Sequence, residues 1–223
     1  MNIFSKLFLT ISKKITRQQI YPFLKKNITS INKKKIKILN IGSGGEIEKI
    51  IKGFKNIDLL SVDIDKKRKP DIVLDISSSD VTKKIKFKPN LIVCLEVLEH
   101  IKEPHMAIRN LYKISNKNTW LIFSVPFLFP IHDEPHDYYR FTKYGLKLLF
   151  KNFSKVKIIN RDGWLDNLFV LMVRLKFSRN YFLKFFALFS VITYLILFPL
   201  IKLIQKIFIF ENITTGYLVK VKK

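Results

Sequence analysis

Apolar residues follow two rhythms along this chain. Ile36–Ile41, Ile57–Val62, Leu91–Leu95 and Thr119–Val125 are short, nearly unbroken apolar runs, as expected of strands covered on both faces. A shorter run, Asp71–Leu74, reads as a third strand in chain order, ending at Asp75, and Lys155–Arg161 and Gly216–Lys222 read as a sixth and a seventh. Between the runs lie helical spacings: EIEKIIKG from Glu46, and the stripe Ala107, Ile108, Leu111 and Ile114 behind Pro104, a residue suited to a first helical turn. Strands alternating with helices at this pitch predict an α/β protein with a doubly wound parallel sheet and ligands over the carboxyl ends of the strands.

Two stretches depart from that rhythm. At the start, Ile3, Phe4, Leu7, Phe8, Ile11 and Ile15 fall at helical spacing with Lys6, Lys13, Lys14 and Arg17 between them. This predicts a basic amphipathic helix within residues 1–30, suited either to an anionic membrane interface or to packing on the domain as a leading helix. Late in the chain, the 54 residues Asp162–Thr215 are unusually apolar, and Phe185–Ile201 carries no charge over 17 residues. As a helix that run spans about 25 Å, short of a bilayer core of about 30 Å. A single crossing would strand Gly216–Lys222 on the far side from its sheet. The expectation is therefore a re-entrant or interfacial helical hairpin, broken near Pro199, with Leu165–Phe177 as its first arm. Arg174, Lys176, Arg179, Lys202 and Lys206 at its margins suit anchoring to anionic lipid; a soluble alternative is a helical cap buried against the domain or a second subunit. The expected organisation is an N-terminal helix in 1–30, a core in 31–161, an apolar insertion in 162–215 and the last core strand in 216–223.

The candidate chemistry starts at Lys37–Glu46, KILNIGSGGE, where a strand passes through Gly42, Gly44 and Gly45 into a helix start. Glycines let backbone approach a ligand closely, and a helix N-terminus offers unpaired N–H groups. Ile47 stands where a G-x-G-x-x-G fingerprint needs glycine, and no Gly-Lys-Ser/Thr closes the turn, so neither a dinucleotide fingerprint nor a P-loop is present. Asp63 falls 21 residues after Gly42, at the end of the second strand, where a carboxylate accepts hydrogen bonds from ribose hydroxyls. Asp65 reads as a loop charge. Asp75 stands where it can reach an adenine, or else caps a turn before Ser77–Ser79.

Composition adds less. Lys and Arg outnumber Asp and Glu 41 to 17, a net charge of +24, which favours anionic partners such as nucleic acid, anionic lipid or phosphorylated substrates. Lys, Ile, Asn and Phe are all abundant, as an AT-rich genome encourages, so charge alone selects no partner. The lone Cys94 within an apolar run suits a reducing cytosol, and lysines interrupt the N-terminal apolar residues before a secretory h-region can form.

The runs ILNIGSGGE, SVDID, DIVLDI, LIVCLEVLEHIKEPHMAIRNLYKI, WLIFSVPF and HDEPHDYYRFT together resemble the class I S-adenosylmethionine (SAM) methyltransferases of the type 11 kind, in particular those associated with bacterial surface-polysaccharide biosynthesis. The resemblance covers Lys37–Phe150 and implies SAM as cofactor. Gly42 and Gly44 would line its methionine part, Asp63 its ribose and Asp75 its adenine, with Asn40, Ser43, Leu95 and Glu96 completing the pocket. It also implies a seven-stranded, mainly parallel, Rossmann-like sheet whose sixth and seventh strands pair as an antiparallel hairpin at the edge. Asn40 replaces the acidic residue usual before the glycine turn, and Asn90 the aspartate usual before the fourth strand.

Pro126–Thr142, PFLFPIHDEPHDYYRFT, gathers the groups a methyl transfer needs beside a donor. His132 or His136 is the candidate base for a hydroxyl acceptor, and Arg140 with Tyr138 is placed to hold an acidic or phosphorylated glycan, with Asp137 beside them. The structural alternative pairs Arg140 with Asp137 or Asp133 to stiffen the loop before a helix opened by Thr142. Glu96, Glu99 and His100 with a distant histidine also resemble the metal-dependent small-RNA 2′-O-methyltransferases, but the preferred reading takes no metal. The expected protein is a methyltransferase that O-methylates a glycan, or a lipid- or nucleotide-linked sugar, held peripherally or monotopically on an anionic cytoplasmic membrane face. Its partners are then a sugar-containing acceptor and lipid rather than nucleic acid; the sequence does not define the oligomeric state. RNA 2′-O-methylation is one alternative. The other is an inactive membrane scaffold, which Asn40 and Asn90 keep open.

Overall fold

The structure, a computed structural model, describes residues 10–11, 14–31 and 34–223. The chain divides into two compact units. The larger comprises Ile20–Phe127, His132–Ile159 and Tyr217–Lys223; the smaller comprises Leu128–Ile131, Asn160–Gly216 and the described residues before Ile20.

The larger unit is built on a seven-stranded sheet of β1 (Ile36–Ile41), β2 (Ile57–Asp63), β3 (Ile72–Val73), β4 (Leu91–Leu95), β5 (Trp120–Pro126), β6 (Lys155–Asn160) and β7 (Gly216–Lys222), in the order β3-β2-β1-β4-β5-β7-β6. β1 pairs in parallel with both β2 and β4, so the winding reverses beside β1 and opens a crevice beyond the carboxyl ends. β6 and β7 run antiparallel, as Ser154 N–H donating to the Lys222 carbonyl and Arg161 N–H donating to the Gly216 carbonyl establish. The doubly wound fold is as the sequence predicts.

Two apolar layers cover the sheet, and β4, buried throughout, contributes to both. Leu91, Val93 and Leu95 pack with Ile20, Leu24 and Ile28 of α1 (Ile20–Thr29) and Ile51 of α2 (Gly45–Lys52). Ile92 and Cys94 face the other way, toward Ala107, Ile108 and Leu111 of α4 (Pro104–Ile114) and Leu146 of α5 (Lys143–Leu149). The short α3 (Val81–Lys84) adds Val81 to that second layer. Alternate strand residues point to opposite faces, so one five-residue strand seals both.

Three expectations need correction. The third strand is only Ile72–Val73, because Asp71 turns back to bond the Ser61 N–H and hydroxyl, 2.7 Å each. The basic amphipathic helix is not continuous over its described part: residues 14–16 are helical, 17–19 form a turn, and α1 begins at Ile20. Pro22 explains the restart. An uninterrupted helix would need its missing N–H to bond the Gln18 carbonyl, whereas in a first turn that N–H has no partner to lose. Ile3, Phe4, Lys6, Leu7, Phe8 and Lys13 lie outside the described residues.

The third correction concerns the smaller unit. Its helices are α6 (Trp164–Arg174), continued by a 3₁₀ turn to Phe177, and α7 (Tyr181–Ile207), capped by the Asn180 side chain. Trp164 Nε1–H donates to the Phe208 carbonyl and Lys202 Nζ lies 2.6 Å from Asp166, so the start of α6 meets the end of α7 and the two form a hairpin. The expected break at Pro199 is absent: α7 runs through it for 27 residues, about 40 Å. Pro199 stands on the exposed side, and Tyr194 and Ile201, buried on either side of it, hold the helical course across the lost hydrogen bond.

Candidate active site

The strands deliver side chains to one cavity of about 470 Å3 in the larger unit, a size typical of small-molecule sites. β1 runs out into Gly42, β2 ends at Asp63, β3 is followed by Asp75, and β4 runs out into Glu96; all four line the cavity. Gly42 has φ 90°, and a Cβ there would stand 2.6 Å from Val97 Cγ2, so backbone freedom and closeness to the β4 turn both require glycine. Gly44 and Gly45 also have positive φ, with open space where a Cβ would be.

Asp63 does more than the sequence suggests. Its Oδ2 accepts from Ser43 N–H at 2.8 Å and its Oδ1 from Asp65 N–H at 2.9 Å, so it holds the glycine turn as well as facing the cavity. Carboxylate oxygens carry further lone pairs, which leaves capacity for ribose hydroxyls. Asp75 lines the cavity and also closes an Asx turn through the Ser77 N–H and hydroxyl, the turn that the sequence offers as the alternative to a cofactor contact. Glu96, at φ 55°, is fixed by a 2.8 Å hydrogen bond from Ser124 Oγ to its Oε1.

Other expected cofactor residues sit differently. Leu95 gives its side chain to the apolar layer under α1 and does not line the cavity. Ser43 is buried, its hydroxyl turned to Glu48, and the Gly44 N–H is likewise bonded by Glu48 Oε2. Desolvation works against ionisation of Glu48, but hydrogen bonds from Lys52, Gly44 and Ser43 outweigh it and leave its pKa below the ordinary value. Nothing in the sequence beyond its position in the first turn of α2 singled out Glu48. Asn40 is buried and donates to the Gly42 carbonyl at 2.9 Å, while its Oδ1 finds no partner among the described residues. Asn40 does not line the cavity, so the groups there that fit the cofactor are the backbone at Gly42 and the carboxylates of Asp63, Asp75 and Glu96. Asn90 is no site residue: it lies at the amino end of β4, where its Oδ1 accepts from Lys37 N–H and its own N–H donates to the Lys37 carbonyl, latching β1 to β4.

The two most distinctive sequence runs are tied together. Tyr138 and Tyr139 N–H both donate to the Glu99 carbonyl, the Tyr139 hydroxyl donates to the Lys102 carbonyl, and His100 Nδ1 bonds the His136 carbonyl at 2.7 Å. His136 and Tyr138 reach the cavity wall, with His136 Nδ1 2.9 Å from Tyr138 Oη. His132 turns away from that wall: its Nδ1 lies 3.2 Å from Asp137 Oδ2 and its Nε2 3.9 Å from the fully buried Glu99. Arg140 grips both oxygens of Asp137 at 2.6 Å, which holds the Asp137 pKa down at about 2. Of the four candidate catalytic residues, then, His136 lines the cavity, while His132, Asp137 and Arg140 form a supporting chain behind it. Thr142 caps α5 by accepting from Gly145 N–H.

A parallel sheet that reverses beside β1, a glycine turn held by the β2 aspartate and acidic groups at successive carboxyl ends define the class I SAM-dependent methyltransferases. A family model for a methyltransferase domain matches residues 14–154, and the chain belongs to that family; it is an enzyme whose cofactor is SAM. No curated protein matches the sequence. Among solved structures, a SAM-dependent methyltransferase from Archaeoglobus fulgidus is 16% identical with a TM-score of 0.59, covering 93% of this chain and 94% of that one. The N-methyltransferase NodS from Bradyrhizobium japonicum is 12% identical (TM-score 0.53; 93% and 96% covered). The plantazolicin methyltransferase BamL, solved with a desmethyl-plantazolicin analogue and S-adenosylhomocysteine, is 14% identical (TM-score 0.54; 96% and 90% covered).

Proposed function

We propose that this methyltransferase O-methylates a glycan, or a lipid- or nucleotide-linked sugar of the kind handled in surface-polysaccharide synthesis, at the cytoplasmic face of a membrane. The observation that carries the reading is the His136–Tyr138 pair at the wall of the cavity that also holds Asp63, Asp75 and Glu96. SAM supplies a methyl group already activated by its sulfonium charge. An amine acceptor attacks with its own lone pair, whereas a hydroxyl must lose a proton, and an imidazole whose orientation is set by a phenol is suited to take it. Gly42 would line the cofactor's amino-acid end, Asp63 would hold its ribose and Asp75 its adenine. Arg140 is committed to Asp137, so anionic parts of the acceptor fall instead to cavity cations such as Arg68 and Lys102.

Membrane attachment is supported by α7, whose buried stripe is Ala187, Ser190, Val191, Tyr194 and Ile201, while Phe182, Phe185, Phe189, Ile192, Ile196 and Leu203 are exposed. The covered face is less apolar than the open one, the reverse of a soluble helix. It is the one helix among the described residues long and apolar enough to cross a bilayer. The chain nonetheless returns to its sheet through β7, which favours an interfacial hairpin.

The test is transfer of labelled methyl from SAM to a lipid-linked glycan fraction. Asp63→Ala should weaken S-adenosylhomocysteine binding at least tenfold by calorimetry. His136→Ala should leave that binding intact and lower transfer by about 10²-fold or more. Wild-type turnover in His136→Ala would remove the base, and label confined to nuclease-sensitive material would replace the glycan with RNA.

A further inference from the structure

The larger unit carries a second cavity, of about 370 Å3, that shares no lining residue with the first. One wall is a face of α4. His105, Ile108, Arg109 and Tyr112 are spaced by three and four residues, so they lie side by side along the helix. The other wall is the end of α5 and the turn after it, which bring Leu148, Leu149, Lys151 and Phe153. Ile108, Leu149 and Phe153 are buried and form an apolar floor. The Tyr112 ring is pinned beside them, edge-on to Phe153 with centroids 5.2 Å apart and with Lys223 Nζ 4.3 Å from its own centroid.

Above this floor stand two fixed cations, Arg109 and Lys151, and the imidazole of His105, while no carboxylate lines the cavity. Among the described residues none of these three side chains has a hydrogen bond, an ion pair or a ring contact. In a chain of net charge +24 a single solvated lysine is ordinary. Here, however, like charges share one hollow and repel each other, with no acid among the lining residues to offset them. A bound anion removes that repulsion. The guanidinium can take two oxygens of a phosphate side by side, and the ammonium can take the third as a point charge.

We propose that this cavity binds a phosphomonoester with a compact, flat apolar body. Its phosphate is held by Arg109 and Lys151 with His105 beside them, and its ring lies against Tyr112 and Phe153. The cations favour a phosphate over a carboxylate, because a phosphomonoester carries a charge of about −1.5 to −2 at neutral pH, close to that of two fixed cations reversed. The floor favours an organic phosphate over the bare ion, since an aromatic body gains from covering apolar surface and from edge or offset contact with two rings. The volume falls within the range of about 300–1,000 Å3 usual for small-molecule sites. Leu148, largely exposed, and Tyr144, exposed one turn before it on α5, continue the apolar surface outward from the cavity. The site is built from the larger unit alone and does not depend on the O-methylation reading.

The experiment titrates the full chain with phenyl phosphate after saturation with S-adenosylhomocysteine, so that the first cavity is already filled by the cofactor product. One equivalent should bind with a Kd below about 1 mM. NMR of that complex should show through-space contacts from the phenyl protons to the Tyr112 and Phe153 rings. Inorganic phosphate and benzyl alcohol, which each keep one half of the ligand, should bind at least tenfold more weakly. Arg109→Gln with Lys151→Gln should weaken phenyl phosphate at least tenfold and leave S-adenosylhomocysteine affinity unchanged. Phenyl phosphate that fails to saturate a chain still able to bind S-adenosylhomocysteine overturns the site. So does inorganic phosphate bound as tightly, contact with other aromatic rings in place of Tyr112 and Phe153, or full affinity in the double variant. Because the ring contacts are read on the unmodified chain, a variant that fails to fold does not decide the matter.

Discussion

Gly42 concentrates two demands of the turn at the cavity wall in one residue. Its φ of 90° favours glycine, and a side chain would run into Val97 on the β4 turn. Gly42→Ala should lower the melting temperature by several degrees and weaken S-adenosylhomocysteine binding at least tenfold. Adding Val97→Ala relieves the collision but not the backbone strain, so the double variant should regain only part of the lost stability. Full recovery would show that strain contributes nothing. At this scale the sequence told a good deal. Gly42, Asp63 and Asp75 were legible because a βαβ unit places turn and acid at set distances, and the pairing of Arg140 with Asp137 was open as an alternative. What it could not tell was burial. Glu99 looks like any acid in EVLEH until the chain folds the histidine loop back over it, and Leu95 looks like a rim residue until α1 covers it.

Among the elements, the α6–α7 hairpin departs most from simple expectation. Hydropathy and length predict the hairpin but place a break at Pro199. Packing at Tyr194 and Ile201 overrides that local preference. A polar cluster joins the two helices: Asp166, itself buried, takes Lys202 at 2.6 Å and the Tyr194 hydroxyl at 2.8 Å, while Gln205 Oε1 accepts from the first N–H groups of α6. Lys202→Ala leaves that buried carboxylate without its cation. The loss should be about 1–3 kcal/mol, less than for a fully buried pair because Lys202 is partly exposed. Hydrogen exchange in α6 should then quicken by about 10- to 100-fold, while β1 and β4 exchange as before. Unchanged protection of α6 would mean the cluster does not hold the hairpin.

For the whole molecule, the proposed membrane attachment makes one clear demand. The chain should float with phosphatidylglycerol vesicles, and less with phosphatidylcholine vesicles, since lysines and arginines flank the apolar stretch. Replacing exposed Phe185, Phe189 and Ile196 by lysine should leave it unbound while S-adenosylhomocysteine still binds with its original affinity. Flotation of that variant would assign attachment to another part of the chain.

The placement of β7 between β5 and β6 also orders events in time. During synthesis β6 leaves the ribosome first, the apolar hairpin next and β7 last, so the slot in the sheet stays open until the hairpin is complete. Joining β6 to β7 closes a loop of more than fifty residues, a slow step compared with forming helices. For that interval the hairpin is exposed while the sheet is unfinished. A lipid surface, or a chaperone, that received the hairpin then would shield its phenylalanines and bring the two strand-forming ends together. Maturation of this enzyme is thus expected to depend on where it is made, and its yield to rise when translation proceeds beside membrane.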